Sequence, residues 1–162
     1  MVQVFISYVT GTGLEKSLEV EASDTYVNLD LRDIASIDLL PLIWCTNLQD
    51  LSIRNNKLTY VDLSPLSKCT ELQSLRLGNN ELGEVDLTPL ENCSKLAELA
   101  LQGNRLKRVD ISPLFHCPHL TELRLDDSTT LTADLTLKSV GSWPEVLVER
   151  FHRILWKVPE SM

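Results

Sequence analysis

The sequence predicts an α/β solenoid in which short repeats stack along one axis. Its four cysteines, Cys45, Cys69, Cys93 and Cys117, lie 24 residues apart. Each cysteine opens a copy of one pattern, CxxLxxLxLxxNxLxxVDLSPLxxC. Within a copy, leucines alternate with other residues as they do in a strand that buries one face. A unit of this length cannot bury its apolar face alone, so neighbouring copies must stack against each other.

The copies that begin at Cys45, Cys69 and Cys93 agree at every apolar position. A divergent copy begins near Glu21, and the copy that begins at Cys117 weakens where Thr130 replaces the leucine and Gly141 replaces the cysteine. We therefore expect about five repeats over residues 22–140, within a single domain of residues 1–162.

Three segments fit the consensus LxxLxLxxNxL: LQDLSIRNNKL (48–58), LQSLRLGNNEL (72–82) and LAELALQGNRL (96–106). These segments resemble the leucine-rich repeat family. The resemblance implies a curved solenoid with a short parallel sheet on its concave face. By analogy it also implies protein binding, although function has to be argued from the surface and not from the fold.

Polar residues recur in fixed columns of the repeat, and we expect structural roles for them. Asn56, Asn80 and Asn104 follow the strands, where a side-chain amide can bond the backbone of the adjacent coil. Five aspartates also recur and should accept a bond from a following backbone N–H: Asp38, Asp62, Asp86, Asp110 and Asp134. The cysteines should be reduced core residues, because a buried thiol behaves as a small hydrophobe.

The opposite, convex side should carry one short helical turn per repeat. VDLSPLSKC, VDLTPLENC and VDISPLFHC place a serine or threonine directly before a proline. Such a residue at the N-cap, with proline at the first helical position, starts a helix. About four residues remain before each cysteine, so the element is a single turn or a 3₁₀ segment.

Both ends of the array look capped. Residues 1–21 alternate apolar and polar residues on either side of Gly11-Thr12-Gly13, which predicts an N-terminal β-hairpin cap. Residues 141–162 predict a C-terminal capping helix that opens with a capping box at Ser142–Glu145 and carries an apolar stripe. A dimer formed through this helix is the alternative, so the chain is expected to be a monomer or a weak dimer.

The charge composition restricts the classes of partner that the chain can bind. The formal net charge is −8, which argues against nucleic acid and anionic membranes, since phosphate binding relies on Lys and Arg. The negative charge favours a protein or peptide partner, including a partner with a basic segment. We expect a cytoplasmic protein, because the N-terminus does not read as a secretory signal.

We find no catalytic constellation, cofactor motif or metal site, and expect a protein that is not an enzyme. The stretch from Gly11 to Ser17 lacks the spacing of a phosphate-binding loop. His116 and His119 flank Cys117, but that cysteine is in the core column, and a structural zinc needs four converging ligands. The aspartate row presents too few oxygens at one point for calcium.

Function should lie where the repeats differ, on the solvent-facing positions of the strands. We expect a partner to bind the concave face through Tyr26, Asn28, Asp30, Asp50, Ser52, Arg54, Arg76, Glu98, Gln102, Glu122, Arg124 and Asp126. On this face Arg76 and Arg124 share a column with Ala100 between them. The alternative is a solvated surface whose charges pair with one another.

Other surfaces and roles stay open. Trp44 and Phe115 near the convex turns are candidates for a second, apolar contact, and the loop residues Arg105, Lys107 and Arg108 for a basic rim. The first hypothesis is thus a protein-binding scaffold. The alternative is a regulatory or targeting subunit of a larger complex, for example one that regulates a phosphatase or a small GTPase.

Overall fold

A computed structural model of the chain describes residues 1–139 and 142–159. The described residues form three sheets joined by short turns. The strands in chain order are β1 (Gln3–Thr10), β2 (Glu15–Glu21), β3 (Tyr26–Asn28), β4 (Ile34–Asp38), β5 (Asp50–Ser52), β6 (Ser74–Arg76), β7 (Glu98–Ala100), β8 (Arg108–Asp110), β9 (Glu122–Arg124), β10 (Thr130–Asp134) and β11 (Ile154–Lys157).

The central sheet confirms the predicted strand of each repeat. Its order is β3-β5-β6-β7-β9, and every neighbouring pair is parallel. Leu51, Leu75 and Leu99 lie side by side in register, and all three are fully buried. The outward side of this sheet, which the sequence predicts to be concave, is called the open sheet face below.

The four cysteines lie inside the solenoid as free, buried thiols. The thiol of Cys69 donates to the carbonyl of Leu42 in the preceding repeat at 3.4 Å. Burial raises the pKa of Cys69 and Cys93 to about 12. The cysteine column is therefore part of the core, as predicted.

The asparagines join consecutive repeats in the way the sequence indicates. Asn80 Nδ2 donates to Ile53 O of the previous repeat at 2.9 Å and to Leu77 O at 3.1 Å. Its Oδ1 accepts from the backbone N–H of Leu58 at 3.1 Å. Asn56 and Asn104 make equivalent bonds. Each amide satisfies buried backbone groups that would otherwise be costly to leave unpaired.

The predicted short turns are 3₁₀ segments: Leu40–Trp44, Ser64–Lys68, Thr88–Asn92, Ser112–His116 and Leu135–Ser139. The side of the solenoid that carries them is called the turn side below. The predicted serine and threonine N-caps are wrong, because Ser64 and its equivalents are the first residues of the turns and not their caps.

The recurrent aspartates cap these turns. Asp62 Oδ1 accepts from the backbone N–H of Ser64 at 2.9 Å, and the other four aspartates bond the second residue after them at the same distance. The side-chain and backbone bonds from Ser64 hold the pKa of Asp62 below its ordinary value. The aspartate row thus has the local backbone support that the sequence predicts.

The N-terminal hairpin is present. β1 pairs antiparallel with β2 and, on its other side, with β4. Val4, Ile6 and Tyr8 alternate with exposed residues and pack into the same core as the repeats.

The predicted C-terminal helix over residues 141–162 is wrong in the part that the structure describes. The helix α1 spans only Glu145–Val148 and follows Pro144, a 3₁₀ turn covers Phe151–Arg153, and the chain then extends as β11. β11 lies parallel to β10, with Leu131 opposite Ile154. Strand pairing satisfies backbone groups along β10 that a helix would leave to solvent, and aromatic and β-branched residues favour extended chain. Residues 140–141 and 160–162, and with them the expected replacement of the cysteine by Gly141, lie outside the described residues.

Aromatic side chains hold this C-terminal segment against the last turns. Phe115 is 7% exposed, and its ring lies edge-on to Trp143 with the ring centroids 5.2 Å apart. Trp156 of β11 packs 5.4 Å from Trp143. No helix in the described part of the chain is long and apolar enough to cross a membrane.

Candidate binding surface on the open sheet face

Side chains cross the open sheet face in three rows, because the strands lie in exact parallel register. The first row is Tyr26, Asp50, Ser74, Glu98 and Glu122, and the second is Asn28, Ser52, Arg76, Ala100 and Arg124. The third row follows the strand ends and is Asp30, Arg54, Gly78, Gln102 and Asp126. The structure therefore brings the predicted binding residues onto one surface, although Ser52 is only 1% exposed.

Arg76 occupies the centre of this face and joins three strands. Its Nη1 lies 3.1 Å from Asp50 Oδ1 and its Nη2 lies 2.9 Å from Glu98 Oε1. Ser74 Oγ donates to the same Glu98 oxygen at 2.6 Å. The guanidinium is thus engaged from both sides, so the centre of the face is an internally paired charge cluster.

The charges of this central cluster are stabilised by one another. Burial lowers the pKa of Arg76, but the carboxylates of Asp50 and Glu98 outweigh it, and the net pKa is raised. Burial likewise raises the pKa of Glu98, while the bond from Ser74 and the charge of Arg76 bring the net pKa below its ordinary value. Arg76 and Glu98 are therefore both ionised at neutral pH.

The β3 end of the face is also internally bonded. Asp30 Oδ1 accepts from Ser52 Oγ at 2.7 Å, and Asp30 Oδ2 lies 3.2 Å from Arg54 Nη2. Asn28 Nδ2 donates to the Tyr26 hydroxyl at 2.7 Å. Tyr26 remains 51% exposed. This end therefore offers an aromatic ring beside a pre-formed ion pair.

The β9 end carries the more accessible charges. Arg124 Nη2 lies 3.1 Å from Glu122 Oε2, and both side chains are more than half exposed. Asp126 accepts from the backbone N–H of Gly103 at 3.1 Å. Gln102 Oε1 is buried and has no hydrogen-bond partner among the described residues. Because its ion pair is solvent-exposed and weak, Arg124 is better placed than Arg76 to exchange its partner for a ligand.

The loops next to the face match the predicted rim in part. Arg105 Nη2 lies 3.1 Å from Glu81 Oε1 of the preceding repeat, so one cation of the basic loop is paired. Lys107 and Arg108 are exposed, but the prediction of Arg108 as a loop residue is wrong, because it is the first residue of β8 and pairs with Thr130.

The two turn-side aromatic residues differ in their surroundings. Phe115 is covered by the C-terminal segment, so it is a core residue and not a contact surface. Trp44 is 65% exposed. His116 and His119 are also exposed, while Cys117 between them is buried. Across residues 1–139 and 142–159, no group of three or more His, Cys, Asp or Glu side chains is arranged to hold a metal ion.

Arg150, which was not predicted from the sequence, completes the edge of the sheet. Arg150 Nη2 donates to the backbone carbonyl of Leu123 in β9 at 2.7 Å, and its Nη1 donates to Val146 O at 2.9 Å. This side chain reaches across 27 residues to bond the last strand. The repeat pattern contains no signal for it, because Arg150 lies after the array.

Comparison with known proteins agrees with these observations. Two family models match, "Leucine Rich repeats (2 copies)" over residues 46–92 and "Leucine rich repeat" over residues 70–131. No curated protein matches the chain significantly.

Several solved structures are similar. Internalin C2 from Listeria monocytogenes is 30% identical, with a TM-score of 0.58 over 85% of this chain and 53% of its own. The ectodomain of the receptor kinase GASSHO1/SCHENGEN3 from Arabidopsis thaliana, solved in complex with CASPARIAN STRIP INTEGRITY FACTOR 2, is 25% identical, with a TM-score of 0.50 over 72% of this chain and 13% of its own. The leucine-rich repeat domain of APL1B is 21% identical, with a TM-score of 0.59 over 68% of this chain and 36% of its own, and indicates the fold alone. The chain thus spans about half the length of internalin C2 and less of the other two.

Proposed function

Because this chain belongs to the leucine-rich repeat family, we propose that it is a non-enzymatic module whose open sheet face and adjacent loops bind a protein or peptide. One observation carries the proposal. The central inward position is leucine in four of the five strands and Val27 in the other, whereas the outward positions differ from strand to strand on one continuous surface. Packing fixes the inward residues, and the outward ones are free to specify a partner. The similar plant ectodomain, solved in complex with another factor, supports this use of the fold.

The charges of the open sheet face favour a partner that carries both a cationic and an anionic group. The three rows hold five carboxylates and three guanidiniums, so the face is net acidic and favours a segment with lysine or arginine. At the β9 end, Arg124 suits a carboxylate because a guanidinium can bind it in bidentate fashion. Glu122 suits a cation from the same partner.

The size of the face sets the expected affinity. Five strands at ~4.8 Å spacing span about 20 Å. A face of that width has an area at or below the ~800 Å² that each partner buries in a standard interface. We therefore propose a weak or transient complex unless the rim loops also take part.

A regulatory or targeting subunit of a larger complex is the second candidate. The apolar side chains exposed on the turn side, Trp44 among them, favour it, because a subunit of an assembly buries such residues against its neighbours. Co-purification of the chain with a stoichiometric partner would distinguish this role from transient binding.

We also propose roles and surroundings that follow from the same architecture. The hairpin β1–β2 and the segment that ends in β11 cap the two ends of the solenoid, since uncovered coils would expose apolar surface and sheet edges. A cytoplasmic location is supported by the four free thiols, because reducing compartments keep cysteines unpaired. Fractionation with compartment markers tests the location.

Affinity capture from native lysate of the source organism tests binding on the open sheet face. The bait carries Arg124→Glu, which leaves the central cluster of Arg76 in place. The matched control is Lys95→Glu, since Lys95 is also an exposed cation with one carboxylate partner, Glu71, but lies off this face. We expect a specific partner that is captured by the wild type and by the control but not by Arg124→Glu. If both variants retain every wild-type partner, the proposed surface is wrong.

A further inference from the structure

The first 3₁₀ turn differs from the others in the residues that it presents to solvent. The four turns that contain a proline read LPLIW (40–44), SPLSK (64–68), TPLEN (88–92) and SPLFH (112–116). Proline and leucine are common to these four turns, and the leucine of each is fully buried. The remaining positions are polar in the second and third turns, whereas the first turn has Leu40, Ile43 and Trp44.

These apolar side chains stay accessible. Leu40 is 58% exposed, Trp44 is 65% exposed and Ile43 is partly exposed. Phe115, which occupies the column of Ile43 in the last of the four turns, is instead buried beneath Trp143. The chain thus covers one apolar turn with its own C-terminal segment, while no segment of the described residues buries the other.

A groove lies beside the first turn. It has a volume of about 340 Å³ and runs between the turns Leu40–Trp44 and Ser64–Lys68. Ile37, Leu39, Leu40 and Ile43 line it together with Pro65. A groove with apolar walls next to an exposed indole is suited to receive apolar side chains.

Acidic groups flank the groove. Asp38 and Asp62 line it and are exposed, and each uses Oδ1 to cap its turn. Hydrogen bonds from Ser64 lower the pKa of Asp62, so its negative charge persists well below neutral pH. Lys68 is the cation among the lining residues, and the next aspartate of the row, Asp86, continues the acidic side.

We propose that this groove is a second binding site, distinct from the open sheet face, and that its occupant is a short basic amphipathic segment of another protein. Apolar side chains of the segment pack on Leu40, Ile43 and Trp44, and its lysine or arginine residues lie beside Asp38 and Asp62. A second copy of this chain fits less well. Three side chains in one turn fall far short of the ~800 Å² per partner that a stable interface buries.

A random twelve-residue peptide library displayed on phage provides the probe. The selection uses the wild-type protein, with depletion on the triple variant Leu40→Ser/Ile43→Ser/Trp44→Lys. That variant converts LPLIW into SPLSK, a turn that the same solenoid already carries at Ser64–Lys68, so it should fold normally. Circular dichroism of the variant checks this.

Enriched peptides are then synthesised and their affinity is measured. We expect sequences that combine aromatic or aliphatic residues with lysine or arginine, and a loss of affinity of at least about tenfold in the triple variant, as for a hot-spot aromatic residue. The indole N–H resonance of Trp44, assigned by its absence from Trp44→Lys, should shift on binding while those of Trp143 and Trp156 stay in place.

Two substitutions that remove a negative charge test whether the acidic groups beside the groove contribute to binding. Asp62→Asn keeps a capping side chain and should weaken binding by roughly two- to fivefold at low salt. Asp134→Asn is the matched control, because Asp134 caps its turn in the same way three repeats away, and it should leave the affinity unchanged.

Three results would overturn the proposal. The first is that no peptide is enriched over the triple variant. The second is that enriched peptides are acidic or bind Asp62→Asn as tightly as the wild type. The third is concentration-dependent self-association in sedimentation that the triple variant abolishes, which would make a second copy the occupant.

Discussion

Replacing Asn80 by alanine should remove one of the strongest polar links between repeats. Asn80 is 6% exposed and bonds Ile53 O at 2.9 Å, Leu77 O at 3.1 Å and Leu58 N at 3.1 Å. Asn56 and Asn104 also donate to the two carbonyls, at 3.3 Å and 3.1 Å respectively, so each keeps one donor after the substitution. The N–H of Leu58 loses its partner.

The cost follows from these bonds. A buried N–H left unpaired costs about 1–3 kcal/mol, and each further lost bond about 0.5–1.5 kcal/mol. Asn80→Ala should therefore reduce the free energy of unfolding by about 3–5 kcal/mol. For a chain of this length we expect the melting temperature to fall by roughly 6–20 °C, at about 2–4 °C per kcal/mol.

Urea unfolding followed by far-ultraviolet circular dichroism measures the effect. Asn104→Ala is the matched control, since it removes the same kinds of bond at a partly exposed position where water can replace them. We expect a smaller loss there, of about 1–2 kcal/mol. If Asn80→Ala costs less than about 1 kcal/mol, or no more than Asn104→Ala, the asparagine column does not stabilise the stack in the way argued.

Four further predictions concern the central ion pairs, the buried thiols and two glycines. Arg76→Met should cost about 1–2 kcal/mol at neutral pH, and because the folded pKa of Glu98 is lowered, the difference from wild type should shrink as the pH falls below about 4 in pH-dependent urea titrations. Native thiols should resist a disulfide reagent at pH 8, and since the folded pKa of Cys93 is raised to about 12, stability should fall as the pH rises from about 9 toward 12. Gly103→Ala should cost at least about 1–3 kcal/mol in thermal melts, because Gly103 has φ of +75° and a Cβ there would lie 2.1 Å from a neighbouring side-chain oxygen. Gly83→Ala should be neutral or stabilising, since nothing lies within 4 Å of its Cβ position.

The interior of the repeats could be predicted almost residue by residue. Leu51, Leu75 and Leu99 recur at one register, and stacking forces equivalent residues into equivalent environments. The same logic predicted the bonds of Asn80 and the backbone bond of Asp62, since each column repeats one local geometry. Periodicity is a strong signal because every copy has the same type of residue at the same position.

The C-terminal segment could not be predicted in this way. The spacing of Trp143, Leu147 and Phe151 suits an amphipathic helix, but only Glu145–Val148 is helical. The free edge of β10 and the ring of Phe115 decide the outcome, because pairing and aromatic packing outweigh a local helical pattern. Neither partner is adjacent to the segment in sequence.

The sequence predicts which residues lie on the candidate binding surface but not which of their charges pair with each other. Row positions follow from the alternation along each strand, so the sequence predicts which residues share the open sheet face. Which charges remain accessible depends on side-chain reach between strands. Arg76 is held between Asp50 and Glu98, whereas Arg124 pairs with an exposed neighbour.

The repeat period is sufficient to predict the solenoid, the parallel strands, the buried cysteines and the asparagine and aspartate columns, because a fixed period imposes one environment on each column of a stack. Features without a period are visible only in the folded chain: the extended C-terminal segment, the bond from Arg150 to the last strand, the ion pairs of Arg76 and the exposure of Trp44. Each of these depends on contacts between residues far apart in the chain. Such contacts form only once the repeats have stacked, and a single sequence carries no direct record of them.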